Sequence, residues 1–377
     1  MLLNSVRGTM SMLFPLITFP YVSRILGVEN LGRYNYANSI VSYFILLAEL
    51  GIASYAVREG AALRQDRKKL DHFADEMFTF NIVSTVIAYL LMLIVIFLVP
   101  GMIGYQSLLL ILSLQVILKT IGIEWVYTIF EDYLYITVRS IAFQLLSLIL
   151  LFVFVHTRND LNIYACITVL ACAGSSVLNY VHARKMVAIH LTKHVNWKQH
   201  LRPVFTMFAM ALTVSVYVNS DMTVLGILSG DRAVGIYSVS TKIYRIIKSI
   251  LSTILVVSIP RLSALYGSGK LTEFKITALD IYRTLITVMM PAITGIIILS
   301  KPIVLLISGE EFIKAAPSLE ILGIALLFCM AAWFWGQCIL VPMKKENEVF
   351  KITIVSAGLN LILNFVLIPL CRKKQKH

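Results

Sequence analysis

Three basic residues, Lys242, Arg245 and Lys248, follow one another at a spacing of three within a long apolar stretch. At 3.6 residues per turn they cover about 120° of one helix face. A cation near the centre of a bilayer costs about 2.5–3.5 kcal/mol on insertion scales, so such residues usually face a bundle interior or a water-filled cavity. The pattern therefore predicts the cationic wall of a cavity. The alternative is that Lys248 extends to a membrane interface while the other two neutralise acidic residues.

A second polar pattern carries no charge. Four side chains recur at spacings of three and four on another apolar stretch, which places them on one side of a helix: Asn35, Asn38, Ser39 and Ser42. They predict a neutral, hydrogen-bonding face.

Two charged residues stand alone in apolar surroundings. Asp221, in "YVNSDMTVLG", lies several residues inside an apolar stretch, where an isolated carboxylate takes up a proton or pairs with a cation. It predicts either a structural ion pair with Lys242 or Arg245, or a role in coupling to proton or ion exchange. Arg24, near the end of the first apolar stretch, either guards the cavity or anchors its helix.

Signals for an enzyme or a metal site are weak. The segment "GSGKL" lacks the leading glycine and the Ser/Thr after the lysine that a phosphate-binding P-loop requires. His190, His194 and His200 resemble metal ligands in spacing only, without a nearby Cys or a paired carboxylate. We therefore predict no catalytic residues, no cofactor and no metal.

Composition explains why apolar stretches dominate. The chain is 58% hydrophobic and 14% charged, with a mean hydropathy of +0.83, whereas soluble domains have about 25% charged residues. Stretches of about 18 or more apolar residues recur, and each is long enough to cross a hydrocarbon core as a helix. The sequence predicts an all-α polytopic membrane protein.

Windows of about 20 residues predict eleven spans. They cover residues 6–26, 34–57, 78–100, 104–124, 133–156, 161–187, 203–229, 234–258, 284–307, 316–341 and 349–370.

The excess of 33 Lys+Arg over 20 Asp+Glu is concentrated in alternate loops, after spans 2, 6, 8 and 10. Because positive loops stay in the cytoplasm, the N-terminus is predicted to be cytoplasmic. The charge is thus an orientation signal, and no nucleic-acid partner is expected.

An internal repeat appears when the sequence is shifted by 203 residues. Gly27 then falls on Gly230, and Gly32 on Gly235, and span 1 lands on span 7. Six spans separate the copies, so the halves are predicted to be parallel repeats, a plan known in transporters. We expect an N-terminal lobe over residues 1–200 and a C-terminal lobe over residues 201–377.

The repeat also shows how the lobes differ. The equivalents of Ser39, Ser42 and Ile45 are Lys242, Arg245 and Lys248. One lobe therefore offers a neutral face and the other a cationic face. The second lobe lacks a counterpart to span 6, and an eleventh span would place the basic tail "CRKKQKH" outside, so we expect that the chain stops before its natural end.

Two stretches resemble a known family. The segment "LFPLITFPYVSRILGVENLGRYNYANSIVSYFILLAELGIASYAVREGA" is similar to the start of the polysaccharide-biosynthesis flippases, and "SDMTVLGILSGDRAVGIYSVSTKIYRI" is similar to the start of their second lobe. These proteins belong to the superfamily that also holds multidrug exporters and the lipid II flippase. The resemblance covers almost the whole chain, although members usually continue through a twelfth helix after "NLILNFVLIP".

The resemblance implies two six-helix lobes around a central cavity with alternating access, in a bacterial inner membrane. It implies an undecaprenyl-pyrophosphate-linked oligosaccharide as substrate for O-antigen or capsule synthesis, with the repeat-unit polymerase and the chain-length regulator as partners. We expect the pyrophosphate to engage Lys242, Arg245 and Lys248, with Arg24, and the neutral face to line the sugar path.

Three alternatives stay open. An exporter of small organic cations from the same superfamily should have an acidic lumen. A membrane glycosyltransferase or polymerase should have large outer loops with catalytic residues. An inactive, shortened remnant is the third.

Overall fold

A computed structural model of the chain describes the backbone of residues 2–374 and the side chains of residues 14–369. The side chains of the basic tail lie outside the described residues. Fourteen α-helices and no β-strand are present in the part described. The helices are α1 (Leu2–Glu49), α2 (Ile52–Leu63), α3 (Arg67–Leu98), α4 (Gln106–Gly122), α5 (Glu124–Phe130), α6 (Tyr133–Phe154), α7 (Leu161–Ala173), α8 (Ser176–Met186), α9 (Trp197–Ser229), α10 (Asp231–Gly267), α11 (Leu271–Ile298), α12 (Ser300–Ser308), α13 (Ala316–Trp333) and α14 (Glu346–Lys374).

Ten stretches of the described residues are long and apolar enough to cross a membrane. The first, Phe14–Leu63, has 50 residues and would be about 75 Å long as one helix, more than twice the hydrocarbon thickness of about 30 Å. It includes residues 14–26 of the first predicted span and all of the second, so the ten stretches correspond to the eleven predicted spans. The chain is an all-α, multi-pass membrane protein, which confirms the predicted fold class.

The long helix α1 is broken at Gly27, which has φ 72° and ψ 177°. Only glycine adopts this region without strain, because it has no Cβ. The backbone remains helical through Pro15 and Pro20, although proline removes a backbone hydrogen bond within a helix. The break that separates the first two spans is therefore made by a glycine.

The helices form two compact units. The first contains residues up to Thr18 and Arg33–Val224, and so includes α2–α8 and most of α9. Its core at one end is built from apolar and aromatic side chains of α2, α3, α5 and the segment around α8, including Tyr55, Phe73, Phe80 and Tyr127. The second unit contains Phe19–Gly32 and the chain from Leu225 onward, including α10–α14. The predicted lobe boundary at residue 200 stays a prediction.

Residues that are 203 positions apart share backbone geometry as well as residue type. Gly230, which precedes α10, has φ 79° and ψ 178°, the conformation found at Gly27. Within the second unit, a Cβ on Gly32 would lie 1.8 Å from the Asp231 carbonyl oxygen, and a Cβ on Gly235 would lie 1.9 Å from that of Val28. Val28 and Asp231 are themselves 203 residues apart, so the two contacts are equivalent and reciprocal. The start of α10 and the turn of α1 after its break can cross this closely only because both positions are glycine.

Several helix ends differ from the predicted spans. Helix α3 begins at Arg67 and α11 at Leu271, each more than ten residues before the predicted start. Both first turns carry charged side chains, which lower the windowed hydropathy without opposing helix formation. The ninth predicted span, residues 284–307, is divided between α11 and α12 near Leu299.

Candidate functional site

The cationic residues lie on α10, in the second unit. Lys242 comes 11 residues after the first residue of α10, about 16 Å along the axis, whereas Lys248 lies about 25 Å along it. If α10 begins at one membrane surface, Lys242 is close to the middle of a hydrocarbon core of about 30 Å and Lys248 is near its far side. The cost of placing a charge in the membrane is therefore largest at Lys242 and smallest at Lys248, with Arg245 between them. Lys242 and Arg245 are thus the residues that most need polar surroundings.

Lys242 is partly exposed, and its Nζ lies 5.9 Å from the centroid of the Phe19 ring, which comes from α1. The face of an aromatic ring attracts a cation, more strongly where water is excluded. Arg245 is exposed and Lys248 partly exposed. Lys248 has no hydrogen bond or ion pair within the described residues. All three cations thus keep accessible surface.

Arg24 has a contact that the sequence does not reveal. Its guanidinium donates from Nη2 to the carbonyl oxygen of Leu306, close to the end of α12, which is followed by Gly309 at φ 86°. The last carbonyl groups of a helix lack partners in their own helix and carry partial negative charge, so a guanidinium is stabilised there. This contact gives Arg24 an anchoring role. Whether Arg24 also contacts a substrate stays a prediction.

The neutral face lies on the part of α1 that belongs to the first unit. Ser39 is buried. Its Oγ donates to the Tyr36 carbonyl oxygen at 2.7 Å and lies 2.9 Å from Oγ1 of Thr223 on α9. Hydroxyl pairs of this kind join neighbouring helices in membranes, where water is not available as a partner. Ser39 therefore serves helix packing in this conformation.

The other members of the neutral face are more accessible. Asn35, Asn38 and Ser42 are partly exposed, and the Ser42 hydroxyl donates to the carbonyl oxygen of Ser39 at 2.6 Å. These three side chains keep polar surface on the same helix as Ser39. They are the part of the predicted neutral face that a ligand could contact.

Asp221 lies on α9, two residues before Thr223, and is partly buried. Thr223 Oγ1 is 3.3 Å from the Tyr43 hydroxyl, and the Asp221 carboxylate is within electrostatic range of that hydroxyl. The structure thus brings Asp221, Tyr43 and the Ser39–Thr223 pair together in the first unit. Both interpretations of Asp221, ion pairing and coupling, stay predictions.

Sequence analysis missed a buried polar network at the other end of the first unit. His200 is only 2% exposed, although it directly follows the polar segment "HLTKHVNWKQ". Its Nε2 lies 3.2 Å from Oε2 of Glu76, and its Nδ1 lies 2.9 Å from the Tyr55 hydroxyl. The three residues are far apart in the chain, so no local sequence pattern reveals the network. No cluster of three or more possible metal ligands occurs in the part of the chain that the structure describes.

An ion pair with one buried partner involves Arg139, which lies within the predicted span 133–156. Its Nη2 lies 3.4 Å from Oε1 of Glu124, and its guanidinium carbon is 5.7 Å from the centroid of the Tyr135 ring. Arg139 is 6% exposed. Pairing and aromatic contact together stabilise a buried guanidinium.

Known proteins are similar to this chain over most of its length. A putative O-antigen transporter of Escherichia coli (strain K12) is 24% identical over 98% of this chain and 89% of its own length. The capsular polysaccharide biosynthesis protein CapF of Staphylococcus aureus is 25% identical over 97% of this chain and 90% of its own. The solved inward-facing structure of a multidrug resistance MATE family transporter of the MOP superfamily has a TM-score of 0.63 at 11% identity, covering 98% of each chain. That similarity concerns the fold.

Two family profiles match the sequence. The MatE profile matches residues 206–366. The profile described as "Polysaccharide biosynthesis protein" matches residues 1–266, more than two thirds of the 377 residues. The chain belongs to the polysaccharide biosynthesis protein family.

Proposed function

We propose that this protein is a flippase that moves undecaprenyl-pyrophosphate-linked oligosaccharide repeat units across a bacterial inner membrane for O-antigen or capsule synthesis. Family membership and relatives described as an O-antigen transporter and a capsular polysaccharide biosynthesis protein support this class of substrate. The observation that carries the proposal is the cationic face of α10, because a diphosphate is the anionic part of such a molecule.

Lys242 and Arg245 bind the diphosphate in this proposal. Charge-assisted hydrogen bonds to phosphate oxygens are about twice as strong as neutral ones, and the planar guanidinium of Arg245 suits bidentate contact with phosphate. Lys248, nearer the end of the apolar part of α10, and Arg24, which also holds the end of α12, supply secondary positive charge. Binding an anion offsets the cost of keeping cations at mid-membrane depth.

The neutral face contacts the sugars. Amide and hydroxyl groups of Asn35, Asn38 and Ser42 donate and accept hydrogen bonds without attracting the diphosphate, while Ser39 supports the helix that carries them. The polyprenyl chain remains in the bilayer, which is its natural solvent. Asp221 either pairs with an α10 cation or takes up the coupling ion when that cation binds the substrate.

Transport proceeds by alternating access, which is the usual mechanism of transporters built from such repeats. The N-terminus is cytoplasmic in this proposal, because basic loops alternate along the sequence. The repeat-unit polymerase and the chain-length regulator are the expected neighbours in the same membrane.

The experiment compares export in cells that lack their own flippase for a defined repeat unit. Each charge-assisted contact is worth about 1.5–3 kcal/mol, so Lys242→Ala combined with Arg245→Ala should lower export by about 100-fold or more. The matched control combines Lys275→Ala with Arg283→Ala, which removes two exposed cations of α11. Normal export by the α10 variant, at normal protein levels in the membrane, would remove these residues from the mechanism.

One alternative has an observation in its favour. The MatE profile match and the fold of the solved MATE transporter fit an exporter of organic cations. A cationic face repels such substrates, so we favour the anionic lipid. Drug-susceptibility tests on cells that overproduce the protein separate the two functions: increased resistance to cationic drugs would support the exporter.

A further inference from the structure

The connection between the two sequence repeats runs along the beginning of α3. It comprises residues 187–196, which lie between α8 and α9 and have no helical structure of their own; we call this segment the strap. Three of its backbone N–H groups, on alternate residues, donate to side chains spaced four apart on α3: Ala188 to Asp71 Oδ1 at 2.9 Å, His190 to Asp75 Oδ1 at 2.7 Å, and Thr192 to Thr79 Oγ1 at 3.0 Å.

The regular spacing has a geometric cause. Two residues of extended chain advance about 6.6 Å, and four residues of α-helix advance about 6.0 Å. An extended segment can therefore stay in register with every fourth residue of a helix for several steps. The sequence of α3 supplies an acceptor at each step, Asp71, Asp75 and Thr79. Val187 and Ile189, on either side of Ala188, are almost completely buried, so apolar packing accompanies the first of these hydrogen bonds.

The strap is also fixed at its end. The backbone N–H of Asn196 donates to Oε1 of Glu76 at 2.9 Å. The other carboxylate oxygen of Glu76 contacts His200, and the ring of Trp197 lies 4.8 Å from that of Phe80. The first turn of α9 is thus held against α3 by polar and aromatic contacts. All of these residues belong to the first compact unit, which extends through α9 as far as Val224.

These contacts change the interpretation of the α3 carboxylates. Acidic residues on membrane helices are by default candidates for ion binding or proton coupling. In α3, one carboxylate oxygen each of Asp71, Asp75 and Glu76 accepts a hydrogen bond from a backbone N–H group. A side chain that accepts a hydrogen bond from a backbone N–H group needs an oxygen atom at that place. The amide oxygen of Asn or Gln can accept this bond as well as a carboxylate oxygen can.

We propose that the strap stays docked on α3 throughout the transport cycle and fixes the start of α9 to the first unit. Any movement of one sequence repeat relative to the other then takes place beyond residue 200, within or after α9. It does not take place in the strap. The statement about the cycle rests on the proposed transport function. The docking itself does not.

Hydrogen exchange tests the docking in the purified protein. We expect protected amides at Ala188, His190 and Thr192 and faster exchange at Leu191 and Lys193. Asp71→Asn with Asp75→Asn should keep the pattern, because the amide oxygen still accepts, whereas Asp71→Ala with Asp75→Ala should lose most of the protection. Uniformly fast exchange of the strap in the unaltered protein, or unchanged protection in the alanine variant, would overturn the proposal.

A disulfide tests the behaviour during transport. Thr79→Cys and Thr192→Cys, in a chain whose native cysteines are replaced, place two thiols where the hydroxyl of Thr79 meets the backbone of Thr192. We expect oxidation to leave the transport rate within about twofold of the reduced protein. Inhibition that reductant reverses would show that the strap must undock. The single variant Thr192→Cys, treated with the same oxidant, is the control.

The two proposals can fail separately. If the unaltered protein moves no lipid-linked oligosaccharide, the proposed function is wrong, while the exchange pattern still decides whether the strap is docked. If transport is normal but the disulfide blocks it, the proposed function stands and a permanently docked strap is wrong.

Discussion

At the scale of residues, the Ser39 hydroxyl makes a contact between helices that its sequence pattern does not predict. The spacing of Asn35, Asn38, Ser39 and Ser42 predicts a single polar face. In the structure the Ser39 hydroxyl lies against Thr223, while its neighbours keep accessible surface. The pattern identifies which residues share a face, but it cannot identify which of them meets a second helix nearly 200 residues away.

The Ser39–Thr223 contact should be measurable as an energetic coupling. We expect Ser39→Ala and Thr223→Val to be coupled by about 0.6 kcal/mol, the average for hydrogen bonds between membrane helices, in a double-mutant cycle of thermal unfolding in detergent. Thr213→Val provides the control, because the Thr213 hydroxyl donates to Ala209 on its own helix. Coupling of Ser39→Ala to Thr213→Val as large as to Thr223→Val would contradict the assignment.

Arg24 and His200 mark the limit of prediction from sequence at this scale. Arg24 contacts the end of α12, 282 positions along the chain, and His200 contacts Glu76 across 124 positions. Neither partner lies within a helical turn, so no local spacing reveals the contact. The placement of the α10 cations along one helix could be predicted because helical spacing is local, whereas their contact with a substrate stays a prediction.

At the scale of elements, glycine positions determine how the repeated helices meet. The repeat predicts that Gly27 and Gly230 are equivalent, and the structure gives both the same backbone conformation. The close crossing at Gly32 and Gly235 explains why this second glycine also recurs. Helix boundaries were harder to predict, because hydropathy windows do not detect the charged first turns of α3 and α11.

The glycine crossing predicts a selective sensitivity to alanine. In Gly32→Ala or Gly235→Ala the new methyl group meets a backbone carbonyl oxygen at less than 2 Å, so the helices must separate. We expect destabilisation of about 1–3 kcal/mol, typical of overpacking, as a lower unfolding temperature. Gly295→Ala and Gly358→Ala are matched controls in helices with open space around the position, and should be neutral or slightly stabilising. Equal effects at all four positions would contradict a special crossing.

At the scale of the whole molecule, charge distribution predicts orientation. The segments after Leu63, around residue 190 and after Gly267 carry the basic residues, and so should be cytoplasmic. We expect phosphatase fusions at these sites to be inactive, and fusions near Gly104 and Gly230 to be active. The opposite pattern would reverse the proposed direction of transport.

In the proposed function, helix α10 recognises the diphosphate group of the lipid. The most direct measurement is transport in proteoliposomes of a polyprenyl-diphosphate-linked oligosaccharide and of the same oligosaccharide on a neutral lipid. Because Lys242 and Arg245 provide charge complementarity, we predict that the unaltered protein moves the diphosphate form at least about tenfold faster, and that Lys242→Gln with Arg245→Gln removes this preference. Equal transport of both lipids by the unaltered protein, or an unchanged preference in the variant, would contradict the account.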